Sequence, residues 1–394
     1  MSGLALPRRS ERPELVFLSH AVDRSGPPIY LRHLLGWLGA NTDVPTRVVS
    51  LEGGALEPEF QALTRLQVLG EPDPVRVRRG SRPLTRARNA LRGARLRDVH
   101  PRSLLYINTA WSVRAMQYVP DHPGPVVAHV HELEVGLDYH LPDDDTDRLF
   151  RRPDHWVAAS AAVADNLADR WDVPREEILV HHEMIDVAAP AQVADDEVAR
   201  LRGRIAAGPG ALVVGTTAVL NWRKAPDLFV ELAAKVLHGP EAPDVHFAWV
   251  GVDERSAEVA ALRRDARRAG IADRFHLVAV SDRPEAWMRA FDVFVLPARE
   301  DAYPLAALEA AAAGRPVVCF EAGGMPEFVG NDAGAVVDFP DVDAMAAVVE
   351  RFRADPAARR AMGEVARTRV AERHDVSVAA PRLWADLGPW VPVR

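Results

Sequence analysis

The stretch AREDAYPLAALEAAAAGRPVV, Ala298 to Val318, followed by EAGGMPE, Glu321 to Glu327, decides the fold class. The apolar run DVFVLP, Asp292 to Pro297, leads into it and reads as a buried parallel strand, so the acidic residues fall where strand gives way to helix. Open α/β sheets bind ligands at that junction. Tyr303-Pro304-Leu305 opens the helix, leaving free N–H groups and the positive end of the dipole aimed above the strand, an arrangement that suits phosphate. Glu309 lies about two turns into the helix, and Asp301 precedes it with seven residues between; Glu300 stands beside Asp301. A carboxylate pair flanking such a helix start suits ribose and sugar hydroxyls, because each carboxylate accepts two hydroxyl bonds. A solvated turn plus one helix-surface glutamate explains the same letters without a ligand.

On either side of this segment the pattern alternates between strands and helices. ELVFLS (Glu14 to Ser19) is followed by a turn around Ser25-Gly26-Pro27 and a helix with apolar residues at 31, 34, 35 and 38. TRVVSL (Thr46 to Leu51), LLYIN (Leu104 to Asn108), PVVAHVHE (Pro125 to Glu132) and HWVAAS (His155 to Ser160) read as further strands. The proline-, alanine- and aspartate-rich stretch Asp186 to Ala211 breaks the pattern and reads as a link. The series then restarts with ALVVGTTAVL (Ala211 to Leu220), the helix PDLFVELAAKVL, VHFAWVG (Val245 to Gly251) and FHLVAV (Phe275 to Val280). Asp341 to Arg394 is helical in pattern, with Trp384 and Trp390 near its end. Alternating strands and helices imply parallel sheets, hence an α/β class with two Rossmann-like halves.

The 394 residues are too many for one ordinary core, and 48% apolar with 26% charged residues is the composition of a water-soluble protein. The single cysteine, Cys319, excludes a disulfide framework and a cysteine metal cluster. The N-terminus has no apolar stretch of signal-peptide length and no run of about 18 apolar residues occurs, so a cytoplasmic enzyme is expected. A net charge of −8 argues against nucleic acid as partner. The charge is uneven: Arg76 to Arg102 holds ten arginines against one acid, Asp98. That run reads as a solvated helical face or as a patch for peripheral contact with an anionic membrane or acceptor.

Four constellations can carry chemistry. His131-Glu132 ends an apolar strand, where a parallel sheet places functional side chains, although a lone histidine there is as readily structural. Arg223-Lys224 puts two cations just before a helix, where they oppose the dipole unless they face an anion such as a diphosphate. Gly323, Gly324 and Met325 sit in a loop whose glycines permit close approach of a ligand or a simple turn. Gly26 opens the first helix, with Pro27 and Pro28 stiffening the turn. There is no G-x-G-x-x-G, so a nicotinamide fingerprint is not supported.

From about Glu14 to Arg373 the chain resembles the retaining glycosyltransferases of family 4, whose E-x7-E signature matches Asp301 to Glu309 with aspartate in the first position. The resemblance implies a GT-B fold of two Rossmann-like doubly wound domains facing a central cleft. It implies an acceptor-binding domain over residues 1–187, a nucleotide-sugar domain over 188–372, and a helical tail, 373–394, packing back on the first. It further implies His131 as a contact of the donor sugar, Lys224 with Arg223 on the diphosphate, and either Asp301 or Glu300 on the sugar. Glu309 would hold ribose, Tyr303, Pro304 and Leu305 the phosphate, and Gly26, Gly323, Gly324 and Met325 the donor. The implied reaction is metal-independent, same-face transfer from a UDP- or GDP-linked sugar to a hydroxyl acceptor, with no cofactor. A GT-B nucleotide-sugar epimerase and a non-catalytic nucleotide-sugar-binding homologue are the alternatives, the second suggested by Asp301, Ala218 and Ala225 where the family commonly has other residues.

Overall fold

The computed structural model describes residues 12–70, 96, 98–141, 143–239 and 244–391. The chain forms two compact units, one made of residues 1–182 with 379–394, the other of residues 183–378. The expected division near residue 187 falls a few residues earlier, and the terminal segment that joins the first unit starts at Ala379, not at residue 373. Residues 76–95 and 97, most of the arginine-rich run, lie outside the described residues, and with them the reading of that run as a docking patch.

The first unit holds seven strands, β1 (Leu15–Ser19), β2 (Thr46–Ser50), β3 (Arg65–Val68), β4 (Leu104–Asn108), β5 (Val126–Val130), β6 (His155–Ala158) and β7 (Ile178–Val180). They pair in the order β3-β2-β1-β4-β5-β6-β7, every pair parallel. The second unit holds β8 (Leu212–Thr217), β9 (Val245–Val252), β10 (Phe275–Ala279), β11 (Val293–Leu296), β12 (Val317–Phe320) and β13 (Gly334–Val337). Their order is β10-β9-β8-β11-β12-β13, again all parallel. Each sheet starts with a strand that ends up in the middle, so the chain winds outward first to one side and then to the other. The C-terminal ends of β1 and β4, and of β8 and β11, are therefore the topological switch points, where adjacent connections diverge and leave room for a ligand.

Burial explains why these runs become inner strands. All five residues of β1, β4 and β5 are buried, as expected of a sheet covered on both faces. In the second unit Phe229, Phe247, Trp249, Val293, Phe320 and Phe352 share one core. Each such aromatic contributes about 1.5–3 kcal/mol by leaving water. The short edge strands β3, β7 and β13 escape a reading of the sequence: they have three or four residues each and are only partly buried, so no long apolar run marks them. The stretch Asp186 to Ala211 is also more than a link. Its helix Asp195–Arg204 is anchored within the second unit, where Arg202 donates to the Ala290 carbonyl at 2.8 Å and to Asp292 at 3.0 Å.

Candidate functional site

In the second unit the switch point is closed by a network that starts from the carboxylate of Asp301. Asp301 follows β11 and Lys224 follows β8, so the sheet order, not the sequence, makes them neighbours. The Lys224 ammonium donates to Asp301 Oδ2, and the two side chains are only 17% and 10% exposed. Backbone bonds fix the pair: the Arg299 and Glu300 amides donate to the Arg223 carbonyl, the first at 2.8 Å. The Arg299 guanidinium adds a bond of 3.1 Å to the Trp222 carbonyl, a bidentate bond to Asp227, and a position 5.4 Å from the centre of the Trp222 ring. That hydrogen bond pulls the Asp227 carboxyl below the usual carboxylate range. Asn221 Oδ1 accepts from the Lys224 amide at 3.0 Å, and Ala225 turns through a left-handed conformation, φ 51°, to enter the helix Pro226–Leu237.

The glycine loop joins the same network. Gly324 N donates to the Asp301 carbonyl at 3.1 Å, so its amide is committed inside the protein and is not a donor for a ligand. Gly323 has φ +70°, and a Cβ there would overlap the Asp301 carbonyl oxygen. The glycine is thus demanded by the approach of one loop to another. Met325 starts the helix Met325–Val329 and is fully buried.

The helix Leu305–Ala312 runs from the same turn. Pro304 is its N-cap and has no N–H, so the expectation of an amide at Pro304 is corrected: the first-turn donors are those of Leu305 and Ala306, while the Ala307 amide returns to the Pro304 carbonyl at 3.1 Å. Tyr303 packs inward. Its ring is buried, its hydroxyl lies 3.3 Å from His374 Nε2, and burial, aided by Glu327, raises its pKa above the ordinary phenol range. His374 in turn lies 2.9 Å from the Glu183 carbonyl oxygen, so Tyr303 is a strut for the backbone. Glu300 and Glu309 are half-buried on this rim.

In the first unit, Gly26 opens the helix Gly26–Asn41, and a Cβ at that position would meet open space. His131 directly follows β5, with its ring 3.9 Å from that of His129 and edge-on to Tyr30 at 5.5 Å. His129 is fully buried 2.7 Å from the Tyr106 hydroxyl, and burial, reinforced by His131 and His181, holds it neutral far below the ordinary imidazole range. Glu132 binds backbone and the Thr109 hydroxyl, a partner that no sequence motif announces. Among the described residues no group of three or more His, Cys, Asp or Glu side chains is placed to hold a metal ion, and no helix is long and apolar enough to cross a membrane.

Residues 209–355, all within the second unit and including Lys224, Asp301, Glu309 and the glycine loop, match the family model of glycosyl transferases group 1. A D-inositol 3-phosphate glycosyltransferase of Streptomyces avermitilis is 32% identical over 224 residues, which cover 54% of this chain and 47% of the relative. The lipopolysaccharide core biosynthesis mannosyltransferase LpcC of Rhizobium leguminosarum bv. viciae is 30% identical over 224 residues, 55% of this chain and 59% of the relative. The chain thus spans about half the length of the curated relatives it matches. Over nearly its whole length it superposes on Anabaena Alr3699/HepE in complex with UDP and glucose, with a TM-score of 0.80 at 18% identity, covering 96% of this chain and 100% of that one. The sucrose-phosphate synthase of Thermosynechococcus elongatus gives 0.77 at 19% identity, with 96% and 100% covered. The fold is GT-B, with two Rossmann-like units.

Proposed function

We propose that the protein transfers a glycosyl group, with retention, from a nucleoside-diphosphate sugar to a hydroxyl acceptor without a metal ion. The observation that carries this reading is the buried Lys224–Asp301 pair, fixed by backbone bonds at a switch point beside the helix that starts at Leu305, within the group 1 segment. The pair places a cation and a carboxylate side by side, as a donor with an anionic leaving group and a hydroxyl-bearing sugar requires. In this reading Lys224 and Arg223 neutralise charge that builds on the departing diphosphate. Asp301, with Glu300 beside it, holds sugar hydroxyls, Glu309 holds ribose, and the Leu305 and Ala306 amides face phosphate. Transfer breaks the anomeric carbon to phosphate-oxygen bond and forms the bond to the acceptor oxygen on the same face; the acceptor proton leaves on the departing phosphate. No carboxylate need act as a covalent nucleophile. In the first unit His131 is a substrate contact.

UDP is favoured as the leaving group because HepE is described with UDP, UDP-glucose, and UDP with glucose. The mannosyltransferase among the relatives keeps GDP-linked sugars in the trial set. The test is a thermal-shift panel of UDP, GDP, ADP and dTDP sugars, since a ligand that binds only the folded state raises Tm by mass action. One nucleotide sugar should raise Tm, and Lys224→Ala and Glu309→Ala should abolish the rise. A rise of equal size in both variants refutes the assignment.

A further inference from the structure

Thr109 has a backbone conformation that its side chain disfavours. Its φ of 85° and ψ of 142° lie in territory occupied almost only by glycine, and the residue is β-branched. Such strain persists only where the surroundings over-determine it. Here every polar group of Thr109 is used. Its amide donates to the His129 carbonyl at 2.9 Å, its carbonyl accepts from Ser112 N at 3.0 Å, and its hydroxyl donates to Glu132 Oε1. The other carboxylate oxygen of Glu132 accepts from the Ala110 amide at 3.2 Å and from the His131 amide at 2.9 Å. One side chain therefore ties the strained exit of β4 to the exit of β5, at the residue whose ring packs on His129 and Tyr30.

We propose that Glu132 is a positioning residue, whose carboxylate holds the strained Thr109 turn against the His131 backbone and thereby fixes where the His131 imidazole sits. The strain at Thr109 is the distinguishing mark: a carboxylate that merely capped the short 3-10 helix Ala110–Tyr118 would not require the preceding residue to adopt a conformation it resists. The proposal rests on the reading of His131 as a substrate contact. Its geometry also predicts which substitution is tolerated. In Glu132→Gln the amide oxygen can still accept from both backbone amides while the amide nitrogen donates to a reoriented Thr109 hydroxyl.

The test uses the full chain labelled with 13C at histidine Cε1, the His131 signal being identified by its loss in His131→Asn. In Glu132→Ala the His131 signal should shift or broaden and its titration midpoint should move, whereas Glu132→Gln should keep both near the wild-type values. Thr109→Val, which removes the hydroxyl and keeps the shape, should displace the signal too, and it decides the matter if Glu132→Ala does not fold. In a Thr109→Gly background, where glycine takes the turn without strain, the effect of Glu132→Ala should shrink. An unmoved His131 signal in Glu132→Ala, or in Thr109→Val where that variant stands in, overturns the proposal and leaves Glu132 a helix cap that affects only Tm. These readouts need no substrate, so they stand apart from failure of the transferase reading. With UDP-glucose as donor, release of UDP should fall roughly tenfold to a hundredfold in kcat for Glu132→Ala, with KM changed less than threefold. A loss confined to KM contradicts positioning.

Discussion

The two sheets wind in the same order from a central first strand, the first carrying one strand more, yet their C-terminal rims are held together by different means. In the second unit opposite charges pair, Lys224 to Asp301, and three loops are joined main chain to main chain, Arg299 N to Arg223 O and Gly324 N to Asp301 O. In the first unit the rim residues are imidazole and phenol rings packed on each other, with one carboxylate serving the backbone. Each rim contains a non-glycine residue at positive φ, Thr109 in one and Ala225 in the other. A rim of paired charge can exchange a partner for an anionic ligand; a rim of packed rings positions what touches it.

The comparison breaks first at Lys224. Lys224→Met should abolish the thermal response to nucleoside diphosphates and also leave Asp301 as an unpaired charge with little solvent, lowering stability by about 2–3 kcal/mol, less than for a fully buried pair. Calorimetry with UDP and denaturant melts read the two effects separately. Next, Gly323→Ala should cost about 3 kcal/mol, because a positive φ and an overlap with the Asp301 carbonyl both oppose the methyl group. If its Tm matches wild type, the two loops are not locked as described.

A pH test uses the opposite edge of the second sheet as a reference. His276 near the start of β10 lies 3.0 Å from His246, whose other ring nitrogen is 3.0 Å from Asp244. Burial, and next the neighbouring His246, push its pKa down from 6.5 to about 4. The native state thus resists a proton that the unfolded chain accepts. Stability from this group is full above about pH 6.5 and falls as pH drops toward 4, by on the order of 2–3 kcal/mol. His276→Phe should flatten that part of the Tm profile while leaving nucleotide binding unchanged; an unaltered profile shows that His276 is not responsible. The smallest effect is expected at Ala225, where Ala225→Gly should gain up to about 1 kcal/mol by relieving φ 51°. A loss of stability there means the left-handed turn is not strained.

Much of this was legible in the letters. The inner strands β1, β4, β5, β8, β9 and β11, buried throughout or at all but one residue, coincide with apolar runs, because a strand covered on both faces must be apolar nearly throughout. The edge strands β3, β7 and β13 were not legible, since partial burial permits residues such as Arg65 and Gln67. At the site, Asp301, Lys224 and the glycines were marked by type and place, but their mutual contacts were not. The burial of the Tyr303 and Met325 side chains was not legible either, because a residue that opens a helix at a strand end can pack its side chain into the core. Arg47 shows the same limit. It is fully buried in β2 between Glu14 and Asp98, at 2.7 and 2.8 Å, and Asp98 had stood in the sequence as the lone acid of an arginine run.

By itself the sequence determined the class of fold, two runs of parallel strands, and the residues worth watching at strand ends, because hydrophobic period and turn chemistry are local. Only the tertiary structure decided that Lys224 meets Asp301 across 77 positions, that Gly323 exists for a carbonyl, and that Glu132 answers to Thr109. Strand order sets those meetings, and strand order follows from how whole faces pack, which no local stretch of sequence contains.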